Sequence, residues 1–200
     1  AIKIGMVNDC DTIRAIAETL KKYQESFQHL IIDPVMVSTS GCRLMQEDAL
    51  DVFITELLPL ATLLTPNIPE AEILANRKIE NVEDIKAAAA AICKLGCRYV
   101  LIKGGHFDGA EKVDYLFEDG KLKTSYRGIS VNTRNTHGTG CTLSSAITSY
   151  LAREMDMNTA IAMAKTYLSG AILAGKDIKI GEGHGPVNHF YEPKSLFTKS

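Results

Sequence analysis

Leu30-Ile31-Ile32-Asp33-Pro34 carries the clearest indication of the fold. A short, wholly apolar run that ends in a polar residue and a proline is typical of a strand buried on both faces. Comparable apolar runs occupy residues 2–7, 61–65 and 99–102. Strands that are buried on both faces pair in parallel sheets, so the sequence predicts a central, mostly parallel sheet.

Segments with helical periodicity separate these predicted strands. The first helix is predicted to be capped by Asp9 or Asp11, the second lies near residues 47–57, and the third begins at its cap Asn81 and ends at Gly96. The apolar faces of the first and third helices are Ile13, Ile16, Ala17, Leu20 and Tyr23, and Val82, Ile85, Ala89 and Ile92. Strands that alternate with amphipathic helices predict an α/β layered fold.

The second half of the sequence departs from this simple alternation. Asp119-Gly120 is a turn dipeptide between two strand-like runs, residues 113–117 and 122–126. It predicts a hairpin that adds antiparallel strands at the edge of the sheet, so the sheet is expected to be mixed. Two further helices are predicted at residues 140–151 and 158–174.

Composition restricts the class of protein. The chain has 200 residues, of which 46% are hydrophobic and 23% charged, and this suits a single globular domain. A net charge of -2 gives no global basic field, so no nucleic-acid partner is expected. No apolar run is long enough to span a bilayer and no signal-peptide pattern opens the sequence, so neither membrane insertion nor export is expected.

The cysteines indicate the redox compartment. Five of them, an odd number, are spread along the chain, which suits reduced thiols and predicts a cytoplasmic protein. Cys93 and Cys97 lack a second pair of the same kind, so a structural zinc site is not expected. The full set is Cys10, Cys42, Cys93, Cys97 and Cys141.

Polar residues follow the predicted strands at their carboxyl ends, where ligands bind in open α/β sheets. They are Asp33, Asn67, Glu70, Lys103 and the segment 135–141. These residues come from four separate parts of the chain. The sequence therefore predicts a site where the four parts converge on one edge of the sheet.

The strongest single signal is Asn135-Thr136-His137-Gly138-Thr139-Gly140-Cys141, which leads directly into a predicted helix. Unpaired amides and the positive end of the helix dipole suit a phosphoryl group that gathers negative charge during transfer. Gly138, Thr139 and Gly140 are therefore predicted to form an anion hole, with a plain glycine turn as the alternative. The dipole also favours a thiolate at Cys141, which would take the proton of a substrate hydroxyl or orient that hydroxyl. A small buried core residue is the alternative for Cys141.

Asn67 and Glu70 lie three residues apart at the start of a predicted helix. With Asp33 nearby, they are predicted to orient the water molecules of a Mg²⁺ ion beside nucleotide phosphates. A capping box explains the same pair without a metal, because the Asn67 side chain would cap the helix and the Glu70 side chain, at the third helical position, would accept a hydrogen bond from the Asn67 amide. For these two residues alone, the capping box is the favoured interpretation.

Two lysines are candidates for contacts with a nucleotide. Lys103 ends a strand directly before two glycines, where a cation can reach phosphate oxygens, although a solvated lysine is commoner at such a position. Lys165 lies in the middle of a predicted helix and either overhangs the nucleotide or faces solvent. His106 and His137 lie beside the predicted phosphate loops, where each either donates a hydrogen bond or packs.

Six segments of the sequence carry a family resemblance. They are Lys3-Ile4-Gly5-Met6, Asp33-Pro34-Val35-Met36-Val37, Thr65-Pro66-Asn67-Ile68-Pro69-Glu70-Ala71-Glu72, Lys103-Gly104-Gly105-His106, Asn135-Thr136-His137-Gly138-Thr139-Gly140-Cys141-Thr142 and Gly183-His184-Gly185-Pro186-Val187. In this order and at this spacing they resemble hydroxymethylpyrimidine/phosphomethylpyrimidine kinase, of the ribokinase-like superfamily. The resemblance runs nearly end to end.

This resemblance implies a three-layer αβα fold, a homodimer, and the use of ATP with Mg²⁺. It implies two successive phosphorylations of 4-amino-5-hydroxymethyl-2-methylpyrimidine in thiamine biosynthesis, first on the hydroxymethyl group and then on the monophosphate. It also implies that Cys141 stands where related sugar kinases have a catalytic aspartate. The other roles implied are the anion hole for Gly138, Thr139 and Gly140, Mg²⁺-water contacts for Asn67 and Glu70 beside Asp33, nucleotide contacts for Lys103 and Lys165, and pyrimidine contacts for Met6 and Val35.

The sequence departs from the family pattern in two places. The family has a strand and a Gly/Ser-rich substrate-binding segment ahead of the strand that here carries Gly5 and Met6. Part of the pocket is therefore expected to be absent from these 200 residues, which alone should turn over little or no substrate. Cys42 stands where an aspartate is expected, in a loop that is a candidate lid.

Two other functions fit parts of the same pattern. Pyridoxal or pyridoxine kinases share the fold and the Gly-Thr-Gly-Cys loop and accept a different hydroxymethylated ring. A catalytically silent protein that binds pyrimidine or nucleotide is the second alternative. The complete set of Lys103, Asn67, Glu70 and Cys141 argues against a silent protein.

Overall fold

A computed structural model describes residues 1–36, 44–105, 112–128, 130–195 and 197. Within these residues six strands form one sheet, in chain order from β1 to β6. The strands are β1 (Ile2–Ile4), β2 (Leu30–Ile32), β3 (Leu63–Leu64), β4 (Tyr99–Gly105), β5 (Lys112–Glu118) and β6 (Lys121–Gly128). The first four strands are parallel, and β5 and β6 each pair antiparallel with the strand before. The predicted mixed sheet with an edge hairpin is confirmed.

Helices connect the parallel strands and close the chain. They are α1 (Cys10–Lys22), α2 (Glu47–Val52), α3 (Ile68–Ala75), α4 (Val82–Cys93), α5 (Thr139–Ala152) and α6 (Met157–Gly175). Asp9 caps α1 by accepting a hydrogen bond from the Thr12 amide, and Asn81 caps α4 through the Asp84 amide. Both predicted caps are therefore confirmed. Among the described residues, no helix combines the length and the apolar character that crossing a bilayer requires.

Side chains alternate across the sheet and bury two separate cores. Leu30 and Ile32 of β2 pack with residues of α1 to α4, whereas Ile31 packs on the opposite face with α5 and α6. The same alternation holds in β4, where Val100 and Leu101 belong to opposite cores. Because each face of the sheet is covered by helices, the fold is the predicted three-layer αβα arrangement.

The second predicted helix is not a regular α-helix over its whole length. After α2 the chain continues as a π-helical turn at Phe53–Leu57, in which the Leu58 amide donates to the Phe53 carbonyl. Phe53, Leu57 and Leu58 are all fully buried. An α-helix already brings Phe53 and Leu57 onto one face, and the π turn adds Leu58, which lies five residues after Phe53, to the same buried side.

Two strands are shorter than the sequence predicts. β1 ends at Ile4 rather than at residue 7, and β3 has two residues rather than five. Backbone bonding nevertheless continues one residue past the neighbouring ladders, because the Asp33 amide donates to Ile4 O and the Thr65 amide donates to Ile32 O. The chain therefore leaves β2 and β3 with Asp33 and Thr65 held at the carboxyl edge of the sheet.

Candidate active site

A buried ion pair occupies the carboxyl edge of the sheet. The Lys103 ammonium lies 2.9 Å from Asp33 Oδ1, and the two side chains are 15% and 3% exposed. Asp33 follows β2 and Lys103 belongs to β4, with β3 between them. Thr65, which follows β3, donates its hydroxyl to the same Asp33 oxygen at 3.0 Å. A solvated lysine is thereby excluded, because a carboxylate and an ammonium buried this deeply need each other as partners.

The first turn of α5 lies directly on this ion pair. A Cβ added at Gly140 would be 3.5 Å from the Lys103 ammonium and 3.6 Å from Asp33 Oδ2. One turn further, the hydroxyl of the fully buried Ser144 lies 3.4 Å from Asp33 Oδ2 and also within hydrogen-bonding distance of the carbonyls of Gly140 and Cys141. The start of α5 is therefore close to the ion pair, with room at position 140 for a methyl group but for little more.

The glycine loop leaves backbone donors at the start of α5. Gly138 is the N-cap residue in a left-handed conformation with φ 83°, and no side-chain hydrogen bond caps this helix within the described part of the chain. The Thr139 amide donates to Thr136 O and the Thr142 amide donates to Gly138 O. The amides of Gly140 and Cys141 occupy the second and third helical positions, where no intrahelical acceptor exists. A helix start of this kind binds anions.

Cys141 is an exposed free thiol in the first turn of α5. The alternative of a small buried core residue is therefore wrong. The thiol opens onto a groove of about 520 Å³ along α5, whose other walls include Thr142, Ser145, Tyr167 and His189. Thr142 Oγ1 lies 3.0 Å from His189 Nε2 and donates to Gly138 O, so the chain's final segment packs against the glycine loop.

Asn67 and Glu70 form the capping box that the sequence favours. The Glu70 amide donates to Asn67 Oδ1 at 2.9 Å, and the Asn67 amide donates to Glu70 Oε2 at 2.8 Å. Burial raises the pKa of the Glu70 carboxyl above its ordinary value, although the charge of Lys103 opposes this shift. The capping box therefore lies close to the ion pair.

The oxygen donors of this region suit Mg²⁺ only through water. Asp33 and Glu70 supply hard carboxylate oxygens of the kind that Mg²⁺ prefers. However, Asp33 Oδ1 already accepts two hydrogen bonds, and one oxygen each of Asn67 and Glu70 belongs to the capping box. Among the described residues there is also no group of three or more His, Cys, Asp or Glu side chains that could hold a metal ion. The residues present therefore fit an ion that keeps its water shell.

Of the two alternatives for Lys165, the structure excludes a side chain that faces solvent. Its ammonium pairs with Asp114 of β5, and both side chains are largely buried. A Cβ added at Gly128, where β6 ends, would lie 3.7 Å from the ammonium. Since β6 runs antiparallel to β5 and hence parallel to β4, Lys165 reaches the same edge of the sheet as Lys103.

The other predicted site residues are less closely tied to this cluster. Met6 follows β1 and is 59% exposed, and Val35 follows β2 and is half-buried, so both lie after adjacent strands at the carboxyl edge. The His137 side chain is exposed, and its backbone amide donates to Gly185 O. His106 and Cys42 lie outside the described residues.

Three residues that contact Asp33 or Lys165 were not singled out from the sequence. The hydroxyls of Thr65 and Ser144 support Asp33, and Asp114 supports Lys165. For Asp114 a signal exists, because it lies two residues before the buried Leu116 in a strand and so points to the same side. A carboxylate on the buried face of a strand requires a cationic or hydrogen-bonding partner.

Comparison with known proteins gives concordant results. The family model for phosphomethylpyrimidine kinase matches residues 1–188. The chain is 45% identical over 192 residues to the hydroxymethylpyrimidine/phosphomethylpyrimidine kinase of Rhizobium meliloti, over 96% of this chain and 71% of that protein. It is 44% identical over 188 residues to a thiamine biosynthesis bifunctional protein of Geobacter sulfurreducens, over 94% of this chain but only 37% of that protein.

A solved structure is similar over nearly the same region. The ADP complex of Bacillus subtilis pyridoxal kinase superimposes with a TM-score of 0.82 at 32% identity, covering 96% of this chain and 69% of that one. The likeness extends over both helical layers and the sheet, because so little of the present chain is left uncovered. Relatives with two different named substrates therefore share this fold.

Proposed function

The chain belongs to the phosphomethylpyrimidine kinase family, and from this premise we propose that it transfers the γ-phosphoryl group of ATP to 4-amino-5-hydroxymethyl-2-methylpyrimidine and then to the monophosphate. The named relatives are kinases, so the chain is a phosphotransferase. The product of the two steps is a pyrimidine diphosphate for thiamine biosynthesis, in agreement with the name of the bifunctional relative.

The approach of α5 to the ion pair is the observation that carries this proposal. The amides of Gly140 and Cys141 are uncapped, and a Cβ added at Gly140 would lie 3.5 Å from the Lys103 ammonium. Phosphoryl transfer needs little covalent chemistry from the protein and depends on fixed charges around the phosphoryl oxygens. A glycine loop that has a cation within a few ångströms supplies such charges.

The reaction assigns a separate role to Cys141. The bond between the γ-phosphorus and its bridging oxygen breaks, and the bond from the substrate hydroxymethyl oxygen to phosphorus forms. The hydroxyl proton passes to Cys141 Sγ, or the thiol holds the hydroxyl in line and the proton passes to an oxygen of the transferred phosphoryl group. In either case Cys141 acts on the hydroxyl, while Gly138, Thr139 and Gly140 stabilise the transferred group.

The remaining residues of the site hold the nucleotide and the ring. Lys103 and Lys165 are proposed to contact phosphates of ATP, and Met6 and Val35 to line the pyrimidine pocket. Asp33, Asn67 and Glu70 are proposed to orient waters of Mg²⁺, which when bound neutralises charge on the phosphates. We further propose that residues 1–200 form one ribokinase-like domain of a cytoplasmic homodimer.

Pyridoxal kinase activity is the second candidate. It is favoured by the TM-score of 0.82 to a pyridoxal kinase, but the identity of 32% is lower than the 45% to the pyrimidine kinase. Both substrates present a hydroxymethyl group on a six-membered nitrogen ring. The glycine loop alone therefore does not separate them, and the pocket that contacts the ring must do so.

A competition assay tests the proposal. The full-length protein is incubated with Mg²⁺, ATP and equal concentrations of hydroxymethylpyrimidine and pyridoxal, and the products are identified by mass spectrometry. We expect the pyrimidine monophosphate first and the diphosphate later. Predominant formation of pyridoxal phosphate would overturn the pyrimidine assignment, and the absence of any phosphorylated product would overturn both candidates.

A further inference from the structure

Asp114 divides its carboxylate between two different elements. It lies near the start of β5, is buried, and is on the same side of the strand as the buried Leu116. Its Oδ1 accepts a hydrogen bond from the Gly104 amide at 2.8 Å. Its Oδ2 pairs with the Lys165 ammonium of α6. A single side chain thus joins the end of β4 to a helix in the next layer.

The position of Asp114 places this junction at the carboxyl edge of the sheet. β5 runs antiparallel to β4, and Val113 is in register with Gly105, so β5 begins where β4 ends. Lys112 is in register with Gly128 at the end of β6. Lys103, which pairs with Asp33, directly precedes Gly104. Asp114 is therefore one peptide away from the cation that lies beside the glycine loop.

Neither side-chain packing nor a regular strand ladder fixes the orientation of the peptide between Lys103 and Gly104. Gly104 has φ 79°, a conformation that residues with a side chain rarely adopt, and the ladder between β4 and β5 is irregular between Ile102 and Gly105. A Cβ added at Gly104 would meet nothing within 4 Å, so packing does not fix this glycine. The bond from its amide to Asp114 orients the peptide that joins Lys103 to Gly104.

We propose that Asp114 is a positioning residue for the phosphate chain of the nucleotide. The bond from the Gly104 amide fixes the Asp114 carboxylate against β4, and the carboxylate in turn holds the Lys165 ammonium at the edge of the sheet, where the ammonium faces an anionic ligand. The ammonium has three donors and gives one to Asp114, so two remain for phosphate oxygens. Because the pair has no net charge, Asp114 contributes orientation rather than attraction. This inference rests on the proposed function, which assigns Lys165 to the nucleotide.

Calorimetric titration with ADP and Mg²⁺ tests the inference in a double-mutant cycle. The variants are Asp114→Asn, which keeps the size and one acceptor, Lys165→Gln, and the two combined. We expect each single variant to bind ADP about tenfold more weakly, as is typical when a charge-assisted hydrogen bond is lost. The combined variant should be no weaker than Lys165→Gln within about twofold, because Asp114 acts through Lys165. Unchanged affinity for Asp114→Asn, or losses that multiply, would overturn the inference.

Asp156→Ala separates positioning from simple destabilisation of α6. Asp156 caps this helix through the amides of Asn158 and Thr159 and is exposed. Its loss should lower the melting temperature and leave ADP affinity unchanged. An equal loss of ADP affinity would show that any weakening of α6 suffices and would refute the role of Asp114. Because ADP binding is measured without a pyrimidine, this result is independent of which substrate the enzyme phosphorylates.

Discussion

At the scale of single residues, the site depends on how buried charges are paired. Asp33 and Lys103 are largely buried. Asp33 Oδ1 accepts from both the Lys103 ammonium and the Thr65 hydroxyl, and the Ser144 hydroxyl lies 3.4 Å from Oδ2. A buried ion pair adds little net stability, but it fixes the position of its members when further hydrogen bonds surround it. The pair therefore presents a cation of defined position to the start of α5.

Replacing Cys141 tests its action on the substrate hydroxyl. Cys141→Ala should lower kcat about a hundredfold or more, because general acid–base groups contribute factors of this size, and should leave the Kd of ADP unchanged. Steady-state kinetics and calorimetry give the two quantities. Ser145→Ala, one turn along the same exposed face of α5, is the matched control and should retain its kcat. Equal kcat values for Cys141→Ala and the native protein would eliminate the proposed role.

Replacing Gly140 separates stability from activity. The added methyl would lie in ordinary contact with the Lys103 ammonium and Asp33, and Gly140 is not among the glycines with positive φ. Gly140→Ala should therefore fold with unchanged or slightly higher stability, since alanine favours a helix over glycine by about 1 kcal/mol. Phosphoryl transfer should fall sharply, because the methyl occupies space beside the amides. Thermal unfolding and the product assay decide the matter, and a fully active variant would contradict the anion hole.

The pKa of Glu70 gives a prediction about pH. Burial raises this pKa above 4.5, so between 4.5 and the raised value the folded state binds more protons than the unfolded state. The free energy of unfolding therefore falls as the pH rises through this interval. Glu70→Gln cannot ionise, and its stability relative to the native protein should increase between pH 4 and pH 7. Urea unfolding at the two pH values measures this difference, and a constant or opposite difference would contradict the stated direction.

At the scale of elements, α3 and α5 start in opposite ways. The start of α3 is closed by a reciprocal capping box, whereas the start of α5 has a glycine and no side-chain cap among the described residues. Capping satisfies the free amides of a helix, and an uncapped start leaves them for a ligand. Of these two helices that begin at the carboxyl edge, only α5 is therefore equipped to bind an anion.

The capping box distinguishes a structural role of Asn67 from a role in the site. Asn67→Ala should reduce the free energy of unfolding by about 1 kcal/mol, the usual value for the loss of an N-cap. Asn81→Ala removes the cap of α4 and serves as the matched control with a similar loss. If Asn67 also orients waters of Mg²⁺, only Asn67→Ala should raise the Mg²⁺ concentration needed for half-maximal activity. The same Mg²⁺ dependence in both variants would show that Asn67 acts only as a helix cap and not on Mg²⁺.

At the scale of the whole molecule, the three αβα layers could be predicted from the sequence, because hydrophobic periodicity indicates which faces of the strands and helices are buried. Leu30 to Ile32 are apolar without alternation, and a strand of this kind needs helices on both faces. The hairpin could be read from Asp119-Gly120, which adopt the positive φ values that its turn requires. The π turn at Phe53–Leu57 could not be predicted, because helical periodicity in a sequence does not distinguish a π turn from an α-helical turn.

The site was predictable to a smaller extent. Glycines before a helix and polar residues after strands carry local signals, so Gly138, Cys141, Asp33 and Lys103 were found. Ion pairs between distant segments carry no local signal, and the pairing of Lys165 with Asp114 depends on how α6 packs against β5. The register of one layer on another is a property of the whole molecule.

The most direct test is a crystal structure of the full-length protein with ADP, Mg²⁺, aluminium fluoride and hydroxymethylpyrimidine. The fluoride complex mimics the phosphoryl group in transfer. We predict that it lies within hydrogen-bonding distance of the Gly140 and Cys141 amides and of the Lys103 ammonium, with the substrate hydroxymethyl group facing Cys141. A fluoride complex bound away from the start of α5 would show that the Gly140 and Cys141 amides do not form the anion hole.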